Sequence, residues 1–460
     1  MTDSETLPAW LVPVREASGP RYLAIVEALA EAIRAGDLRP GERLPPQRTV
    51  AALLGVNFTT VTRAYTAAQA QGLLEGATGR GTFVSGRGVA EDTGVIDLSM
   101  NLPPTPLGVS LASLLQQGTV RVLQHSDTAA LMAYHPVGGS AGQSAVGTEW
   151  LTPIVPGISR DRVLVCPGAQ TGLSAILAAC CRPGDAVVVE PLTYPGLIAA
   201  ARQQGLRLLT CESDSDGIVP DAFDAVCRRV RPKVVYLMPT HQNPVATTLP
   251  VARRQQMARL ARAYGVWIVE DDPYWRLDPE IRPALAHFAP DRTFLISTLA
   301  KCLSPGIRVA FILCPEGEAR QGLVESLRAM ALMPAPLMTA VACAWIRDGS
   351  ADALIDGVRR EAAARRRIAA EILPSARGPD TSLHVWLPLS TDGSGERLQQ
   401  AARSRGLALV AAEAFATGGN HAQGVRLSLG GPGKRSVLEA GLRSLAELLV
   451  SGSPDTRFVV

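Results

Sequence analysis

Lysine is nearly absent from this chain, since only three of its 45 basic residues are lysines. The eight cysteines form no C-x-x-C pair, so neither a zinc finger nor a disulfide framework is predicted. Six histidines with no second one at ligand spacing give no metal site. The acidic amino terminus lacks the apolar core of a signal peptide, and the longest apolar stretch, residues 329–346, contains two prolines. These absences argue against a zinc-based, disulfide-stapled or membrane-spanning protein and predict a cytoplasmic one.

The three lysines differ in their surroundings. Lys233 precedes an apolar run, which puts it at the entry of a predicted strand, opposite the edge where open α/β sheets bind ligands. Lys434 lies in a Gly- and Pro-rich stretch that predicts a solvated turn. Lys301 follows an apolar run, with Thr298 three residues before it and Arg308 seven residues after it. Lys301 is therefore the candidate for a Schiff-base lysine, because the neighbouring hydroxyl and guanidinium suit a phosphate.

The stretch around Lys301 reads Ser-Thr-Leu-Ala-Lys-Cys-Leu-Ser-Pro-Gly-Ile-Arg. It resembles the pattern Ser/Thr-x-x-Lys-x-x-x-Pro-Gly-x-Arg around the cofactor lysine of fold-type I aminotransferases. The resemblance implies that Lys301 binds pyridoxal 5'-phosphate as a Schiff base, with Thr298 and Arg308 as further cofactor contacts. It also implies an α/β fold, with a mixed, mostly parallel sheet in a large lobe and a smaller C-terminal lobe.

Two further stretches agree with this family. In residues 239–244, Asn243 matches the family asparagine whose amide donates to the phenolate oxygen of the cofactor. A predicted buried strand ends in Glu-Asp-Asp-Pro-Tyr, where Asp271 and Tyr274 match two cofactor residues. The resemblance implies that Asp271 keeps the pyridine nitrogen protonated, so that the ring can withdraw electrons, and that Tyr274 contacts the phenolate. His241 is expected to be a hydrogen-bonding loop residue and not a metal ligand.

Three more stretches complete the family pattern. A strand, a small-residue turn and a helix start follow one another near residue 168, and free backbone N–H groups there favour a phosphate. By the resemblance, Tyr194 stacks on the cofactor, and Arg426 holds a carboxylate with its two-pronged guanidinium. Tyr134 matches a tyrosine that reaches the phosphate of the partner subunit, which implies a homodimer. The predicted phosphate cradle consists of Gly168, Ala169 and Gln170.

Before residue 90 the sequence does not follow the aminotransferase pattern. Apolar residues on one helical face between residues 22 and 33 predict an amphipathic helix that Gly36 ends. A short helix, a Gly-Val-Asn turn and a second helix over residues 58–70 follow, with Asn57 as the expected cap. Two short β segments around a glycine-rich tip complete the order of helix, helix-turn-helix and wing.

Residues 12–86 resemble the winged helix-turn-helix of GntR-type transcription factors. The landmarks are Gly-x-Leu-x-Pro-Gly-x-x-Leu-Pro, Leu-Gly-Val, Thr-Val-x-x-Ala-Tyr and Gly-x-Gly-Thr-Phe-Val. The resemblance implies binding to a double-stranded DNA operator, with the second helix of the motif in the major groove. Where the family usually has Ser-Arg after the turn, this chain has Asn-Phe, so the target sequence is not predicted. The residues expected to contact DNA are Arg48, Thr59, Thr60, Arg63 and Arg80.

The two resemblances together are typical of the MocR or GabR group of bacterial regulators, in which a GntR-type reader is fused to an aminotransferase-like domain. We predict a winged helix-turn-helix over residues 12–86, a linker over residues 87–95, and a pyridoxal-phosphate-binding domain over residues 96–450. A length of 460 residues suits one small domain and one large core with two lobes.

Two functions stay open at this stage. In the first, the protein is a transcriptional regulator that senses a small amine or amino acid by aldimine exchange at Lys301, while Arg426 grips the acidic end of the effector. In the second, it is an active aminotransferase that carries a DNA-binding domain, with Lys301 as general base. The DNA reader favours the regulator. A third hypothesis makes pyridoxal phosphate itself the effector. Arg426 recognises an anion and not a carbon skeleton, so the effector is not identified.

Overall fold

The computed structural model describes residues 8–16, 19–35, 37–39, 41–70, 73–77, 81–85, 95–317, 319–390, 394–418 and 421–451. The chain divides into two compact units, Met1–Gly94 and Val95–Val460, which we call the reader and the body. The predicted linker and Arg80 lie outside the described residues, apart from Val95. None of the helices within the described ranges combines the length and the apolar character that a membrane span needs.

The reader consists of helices packed on a small hydrophobic core, followed by a two-stranded antiparallel sheet. The helix that the sequence predicts over residues 58–70 has those bounds, and the Oδ1 atom of Asn57 accepts the backbone N–H of Thr59 at 3.0 Å, as expected for its cap. Gly55 ends the preceding helix in the left-handed conformation, at φ 65°. The elements are α1 (Val12–Glu16), α2 (Arg21–Ala35), α3 (Gln47–Leu54), α4 (Phe58–Ala70), β1 (Leu74–Ala77) and β2 (Gly81–Val84).

The body is an α/β unit with a large and a small lobe. Its helices are α5 (Leu111–His125), α6 (Thr128–Leu131), α7 (Ala141–Leu151), α8 (Ala169–Cys180), α9 (Pro195–Gln203), α10 (Pro220–Val230), α11 (Val251–Tyr264), α12 (Leu285–Phe288), α13 (Ala319–Ala331), α14 (Pro336–Arg347), α15 (Ser350–Ile372), α16 (Ser394–Ser404) and α17 (Arg435–Ser451). Its strands are β3 (Ile96–Asp97), β4 (Val163–Cys166), β5 (Ala186–Val189), β6 (Arg207–Thr210), β7 (Ser213–Asp214), β8 (Gly217–Ile218), β9 (Val234–Leu237), β10 (Trp267–Asp271), β11 (Thr293–Thr298), β12 (Ala310–Leu313), β13 (His384–Pro388), β14 (Leu407–Ala408), β15 (Val410–Ala411) and β16 (Gly424–Ser428).

A seven-stranded sheet forms the centre of the large lobe, in the order β4-β12-β11-β10-β9-β5-β6. Strand β12 runs antiparallel to both neighbours, and the other pairs are parallel. Strands β4, β5 and β9 are buried along their whole length, which explains why they appear in the sequence as continuous apolar runs. Strand β11 is also fully buried. The small lobe contains a three-stranded antiparallel sheet, β13-β16-β15, over a separate hydrophobic core.

A pair of tryptophans packs beneath the end of β11. The indole N–H groups of Trp150 and Trp275 both donate to the hydroxyl of Ser297, at 3.0 and 2.9 Å. The guanidinium of Arg276 lies 4.3 and 4.8 Å from the two ring centroids. The hydroxyl oxygen offers two lone pairs, so both N–H groups are satisfied by one buried atom, and the strand end is held firmly before Lys301.

Candidate functional site

The candidate cofactor residues of the body lie at one edge of the large sheet. Strands β4, β9, β10 and β11 run in the same direction, and their carboxyl ends lead to Gly168, Asn243, Asp271 and Thr298 respectively. Ligands of open α/β sheets bind at this edge, because the loops that follow parallel strands converge there. The topology therefore brings together residues that are up to about 130 positions apart along the chain.

Lys301 follows the end of β11 and points its amino group into the body. The Nζ atom donates to the backbone carbonyl of Asn101 at 2.5 Å. The pKa of Lys301 is lowered to about 8, mainly by burial and also by Arg426, while Asp271 opposes the shift. A buried amine with a depressed pKa is partly neutral near physiological pH, and the neutral form is the nucleophile.

Asp271 is buried at the end of β10 and keeps one oxygen free. Its Oδ2 atom accepts the hydroxyl of Tyr236 at 2.8 Å, whereas Oδ1 has no partner among the described residues. Burial raises the pKa of Asp271 to about 6, although the hydrogen bond from Tyr236 favours the ionised form. An ionised carboxylate with an unused buried oxygen suits a cationic N–H donor.

Arg426 lies on β16 and is 7% exposed. It donates to the side-chain oxygen of Asn243 at 2.9 Å and to the backbone carbonyl of Ser99. Its guanidinium carbon lies 5.0 Å from the centre of the Phe415 ring. Because Asn243 uses its oxygen to accept from Arg426, its amide N–H groups remain available for another acceptor.

The turn before α8 forms a cradle of backbone groups. Gly168 has φ 95°, and a Cβ atom there would lie 2.6 Å from an Arg308 nitrogen, so a larger residue would be strained and crowded. Gln170 donates to the carbonyl of Gly196 at 2.9 Å and thereby ties this helix to the start of α9. Burial raises the pKa of Tyr194, the residue just before α9, and Asp271 adds to that shift. The N–H groups in the first turn of a helix have no partner within the helix, and such groups attract anions.

The loop that carries Asn243 is anchored from behind by buried charges. Asp272 accepts the hydroxyl of Thr240 at 2.7 Å, and Arg254 donates to the same hydroxyl at 3.2 Å. Burial raises the pKa of Asp272 to about 6 and that of Glu270 to about 7, and Arg254 opposes both shifts. No sequence motif points to Thr240 or Arg254.

A second group of contacts, which no sequence motif indicates, surrounds Tyr274. Asn101 donates from Nδ2 to the Tyr274 hydroxyl at 2.8 Å, and its Nδ2 also lies 3.1 Å from Nδ1 of His384. Burial raises the pKa of Tyr274 above its ordinary value. No short motif contains Asn101, because its partners lie between 173 and 283 residues away.

The expectation for His241 is wrong in one respect. Its ring stacks on Tyr274, with 6.2 Å between centroids, but neither ring nitrogen has a hydrogen-bond partner in the part of the chain that the structure describes. Only its backbone N–H donates, to the hydroxyl of Thr248 at 3.2 Å. Burial lowers the pKa of His241 to about 4. Within the described ranges, no group of three His, Cys, Asp or Glu residues is arranged to hold a metal ion.

Two further predicted contact residues, Tyr134 and Thr298, differ in their exposure. Tyr134 is 85% exposed. The backbone N–H of the next residue, His135, donates to the sulfur of Met333 at 3.1 Å. Thr298 is buried, and its hydroxyl lies 3.4 Å from the backbone carbonyl of Val309 and 3.2 Å from the backbone N–H of Ala300.

The reader brings four of the five predicted DNA contacts into one motif. Arg48 lies at the start of α3, and its guanidinium carbon is 5.9 Å from the ring of Phe58 at the start of α4. Thr59, Thr60 and Arg63 lie on the first turns of α4. The guanidinium of Arg63 lies 4.0 Å from the Tyr22 ring on α2.

Comparison with known proteins gives matches for both units. The family model for aminotransferase class I and II matches residues 93–444, and the model for bacterial regulatory proteins of the gntR family matches residues 21–84. An uncharacterized HTH-type transcriptional regulator of Bacillus subtilis, YdeF, is 29% identical over 96% of this chain and 97% of its own length. A 2-aminoadipate transaminase of Thermus thermophilus is 29% identical over 72% of this chain and 85% of its own length.

A solved structure agrees with the fold and points to the cofactor. The α-aminoadipate aminotransferase LysN of Thermus thermophilus, complexed with N-(5'-phosphopyridoxyl)-L-leucine, superposes with a TM-score of 0.70 at 26% identity, over 78% of this chain and 92% of its own. Aminotransferases of class I and II use pyridoxal 5'-phosphate. The body fits this cofactor, because the free oxygen of Asp271, the buried amine of Lys301 and the α8 cradle offer partners for a pyridinium, a carbonyl and a phosphate.

Proposed function

Because this chain belongs to the aminotransferase class I and II family and carries a reader of the gntR type, we propose that it is a DNA-binding transcriptional regulator of the MocR group that senses a small amine or amino acid. The observation that carries this proposal is the likeness to an HTH-type regulator along nearly the whole of both chains. Two more HTH-type regulators, both of Escherichia coli, are similar over 87% and 72% of this chain. A sequence-specific reader has no use in a purely metabolic enzyme.

The cofactor supplies a carbonyl group that binds primary amines covalently and a ring that withdraws electrons from them. We assign Lys301 as the amine that holds it in the absence of effector. Asp271 is assigned to the ring nitrogen through its free Oδ1 atom, supported by the Tyr236 hydroxyl at 2.8 Å on Oδ2. Asn243 and Tyr274 are assigned to the phenolate oxygen, because both have hydrogens left to donate.

We assign the phosphate to the first turn of α8, with the backbone N–H groups of Ala169 and Gln170 as donors. Gly168 completes the cradle through its close approach, since its own N–H donates to the Cys166 carbonyl at 2.8 Å. Thr298 and Arg308 are assigned as its side-chain partners, and Tyr194 as the ring that stacks on the cofactor. Support for this set comes from the close approach at Gly168, where a Cβ would lie 2.6 Å from Arg308. This places a guanidinium beside the cradle, where an anion would gain a charge-assisted hydrogen bond.

An effector with both an amine and an acid would use two residues. Its amine would compete with Lys301 for the cofactor, and its acidic group would bind Arg426. The guanidinium of Arg426 now donates to Asn243 and to a backbone carbonyl, and its Nε has no partner within the described residues. A carboxylate or sulfonate would therefore find a buried cation whose present partners are neutral.

We also propose that the protein is a homodimer in the cytoplasm and that Tyr134 reaches the phosphate of the partner subunit. A tyrosine that is 85% exposed, near Met132 at 62%, forms an apolar surface suited to an interface. Met330 and Leu332 are 45% and 41% exposed. They lie next to Met333, whose sulfur accepts the backbone N–H of His135. All eight cysteines are free thiols, in agreement with a reducing compartment.

For the reader, we propose that α4 enters the major groove of a double-stranded operator. Arg48, Thr59, Thr60 and Arg63 are the proposed contacts, together with Arg80, which lies outside the described residues. Thr59 is exposed at the start of α4, where side chains of recognition helices meet base edges. Replacing Arg63 with alanine should weaken operator binding and lower its salt dependence.

The experiment that tests the proposal is a titration of the cofactor-loaded protein with a panel of small amines and amino acids. The visible absorbance band of the bound cofactor is followed with and without keto acids, and operator binding is followed in parallel by fluorescence anisotropy. We expect one compound to change both the spectrum and the DNA affinity without turnover. Repeated cycles of bleaching and recovery on addition of a keto acid would instead identify an aminotransferase, which the likeness to 2-aminoadipate transaminase makes the second candidate.

Because the chain has only three lysines, replacing another of them gives a matched control for this experiment. Lys301→Ala should abolish the spectral and DNA-binding response to the effector while basal operator affinity stays unchanged. Lys434→Ala removes an exposed lysine of the same chain and should leave every signal as in the wild type. Regulation that survives Lys301→Ala would contradict the proposed sensor.

A further inference from the structure

Asn101 is a buried residue of the site to which no family motif pointed. It is 8% exposed and lies on the segment that follows β3. Its backbone carbonyl accepts from Lys301, and its side-chain nitrogen contacts Tyr274 and His384. One residue thus contacts the cofactor lysine and a proposed phenolate ligand at the same time.

The hydrogen positions in this group follow from the partners. Nε2 of His384 lies 3.1 Å from the backbone carbonyl of Gln242, and a carbonyl can only accept, so Nε2 carries a hydrogen. Burial lowers the pKa of His384 to about 3, and Arg426 adds to this, so the ring is neutral and Nδ1 is an acceptor. Asn101 therefore donates one amide hydrogen to His384 and the other to Tyr274.

This assignment fixes the direction of the Tyr274 hydroxyl. Its oxygen accepts from Asn101 at 2.8 Å. The contact between Tyr274 and Asp272 uses the backbone N–H of Tyr274, at 3.4 Å, and not its hydroxyl. The phenol hydrogen is consequently left for another acceptor. The amide oxygen of Asn101 also becomes fixed, because the nitrogen cannot turn away from its two acceptors. That oxygen is buried and has no donor in the described part of the chain.

We propose that Asn101 is a further residue of the effector site, which positions the Tyr274 hydroxyl and presents its Oδ1 atom to the N–H groups of a primary amine. The backbone carbonyl of the same residue receives the Lys301 amine when that amine is not bonded to the cofactor. Asn101 thereby supplies two acceptors, its backbone carbonyl for the amine of Lys301 and its Oδ1 atom for the amine of the effector. This inference rests on the proposed function of Lys301 as the cofactor lysine.

Two substitutions separate the two tasks of the side chain. Asn101→Leu removes both donor and acceptor at similar volume, whereas Asn101→Asp keeps an acceptor and removes the donor. Methylamine is the probe, because it carries an amine and no acid and therefore does not depend on Arg426. The readouts are the pH midpoint of the visible band of the bound cofactor and the apparent Kd of methylamine, neither of which measures catalytic turnover.

Both variants should shift the spectral midpoint by about one pH unit or more, because the Tyr274 hydrogen is no longer directed. Asn101→Leu should also weaken methylamine binding about tenfold, while Asn101→Asp should stay within about threefold of the wild type. A merely structural role would not separate the two variants in this way. Wild-type values in both variants, or an equal loss of methylamine binding in both, would overturn the proposal.

Two controls complete the test. If Asn101→Leu does not fold, Asn101→Asp alone decides, since the proposal requires a shifted midpoint together with retained methylamine binding. A visible band that persists in Lys301→Ala would refute the proposed function itself. A band that Lys301→Ala abolishes, combined with an unchanged Asn101→Leu, refutes only the role of Asn101.

Discussion

Arg254 supports the loop that carries Asn243 from inside the body, and replacing it with methionine tests how the body holds that loop. The residue is 1% exposed on α11 and makes four hydrogen bonds. Its guanidinium donates to the carbonyls of Leu249, Pro283 and Pro239 at 3.1 to 3.3 Å, and to the Thr240 hydroxyl at 3.2 Å. Methionine fills a similar volume but satisfies none of these acceptors. At about 1–3 kcal/mol for each buried group left without a partner, two orphaned carbonyls alone cost about 2–6 kcal/mol.

The loss should depend on pH, because Arg254 also opposes the upward pKa shifts of Glu270 and Asp272. Their pKa values, about 7 and about 6, lie above the ordinary values of carboxyl groups. Such groups favour the folded state at low pH, and that contribution is lost as pH rises through 6 to 7. Without the guanidinium, both pKa values rise further. At pH 8 the variant therefore buries the carboxylates of Glu270 and Asp272 without a cation beside them. At pH 5 both groups are protonated, and the variant lacks only the hydrogen bonds that Arg254 donates.

We expect Arg254→Met to lose about 3–5 kcal/mol of stability at pH 8 and about half of that at pH 5. For a body of this size, the loss at pH 8 corresponds to a Tm lowered by about 4–7 °C. The assay is thermal unfolding followed by near-UV circular dichroism at both pH values. Arg259→Met, an exposed arginine of the same helix, is the matched control. Equal Tm values for the two variants at pH 8, or an equal loss at both pH values, would refute the reasoning.

Three more substitutions test other parts of the body. Glu361→Gln leaves the buried Arg365 without the carboxylate that it binds at 2.7 Å, so stability should fall by about 3–5 kcal/mol in urea unfolding. Burial alone would raise the pKa of Glu361, but hydrogen bonds from Arg435 and Arg365 bring it below its ordinary value. The stability difference between wild type and variant should therefore shrink as pH falls below about 4, and a difference that stays constant would contradict the ion pair. Gly196→Ala would put a Cβ atom 2.2 Å from the Gln170 oxygen, so cofactor affinity in an absorbance titration should drop about tenfold or more, and an unchanged Kd would contradict the crowding. Ser140→Ala removes the cap of α7 and should cost about 1 kcal/mol in the same urea assay, where an unshifted midpoint would show that the cap is dispensable.

The sequence predicts what is encoded locally. The bounds of α4 follow from apolar spacing and the Asn57 cap, and the buried strands follow from continuous apolar runs, so these predictions are confirmed. Their common edge also follows, because carboxyl ends of parallel strands meet on one side. Lys301 stands out for the simplest reason, since few lysines compete with it.

The remaining contacts could not be predicted, because they join distant residues that have no distinctive neighbours. Asn101 meets Lys301 across 200 positions and His384 across 283. Arg254 lies next to Arg253, which forms an ion pair with Asp214 near the surface, and nothing in the sequence tells the buried arginine from its neighbour. Which residue of such a pair turns inward depends on how α11 packs against the sheet.

The tryptophan pair on Ser297 gives this protein an intrinsic fluorescence signal for cofactor binding. Two of the six tryptophans of the chain are fixed in orientation by hydrogen bonds to one hydroxyl, four residues before Lys301, and one of them directly follows Tyr274. Indole emission overlaps the absorption of a bound pyridoxal chromophore, so energy transfer from these rings quenches their fluorescence as the cofactor is loaded. Occupancy of the site can therefore be followed through emission from the native chain, without any label on protein or DNA.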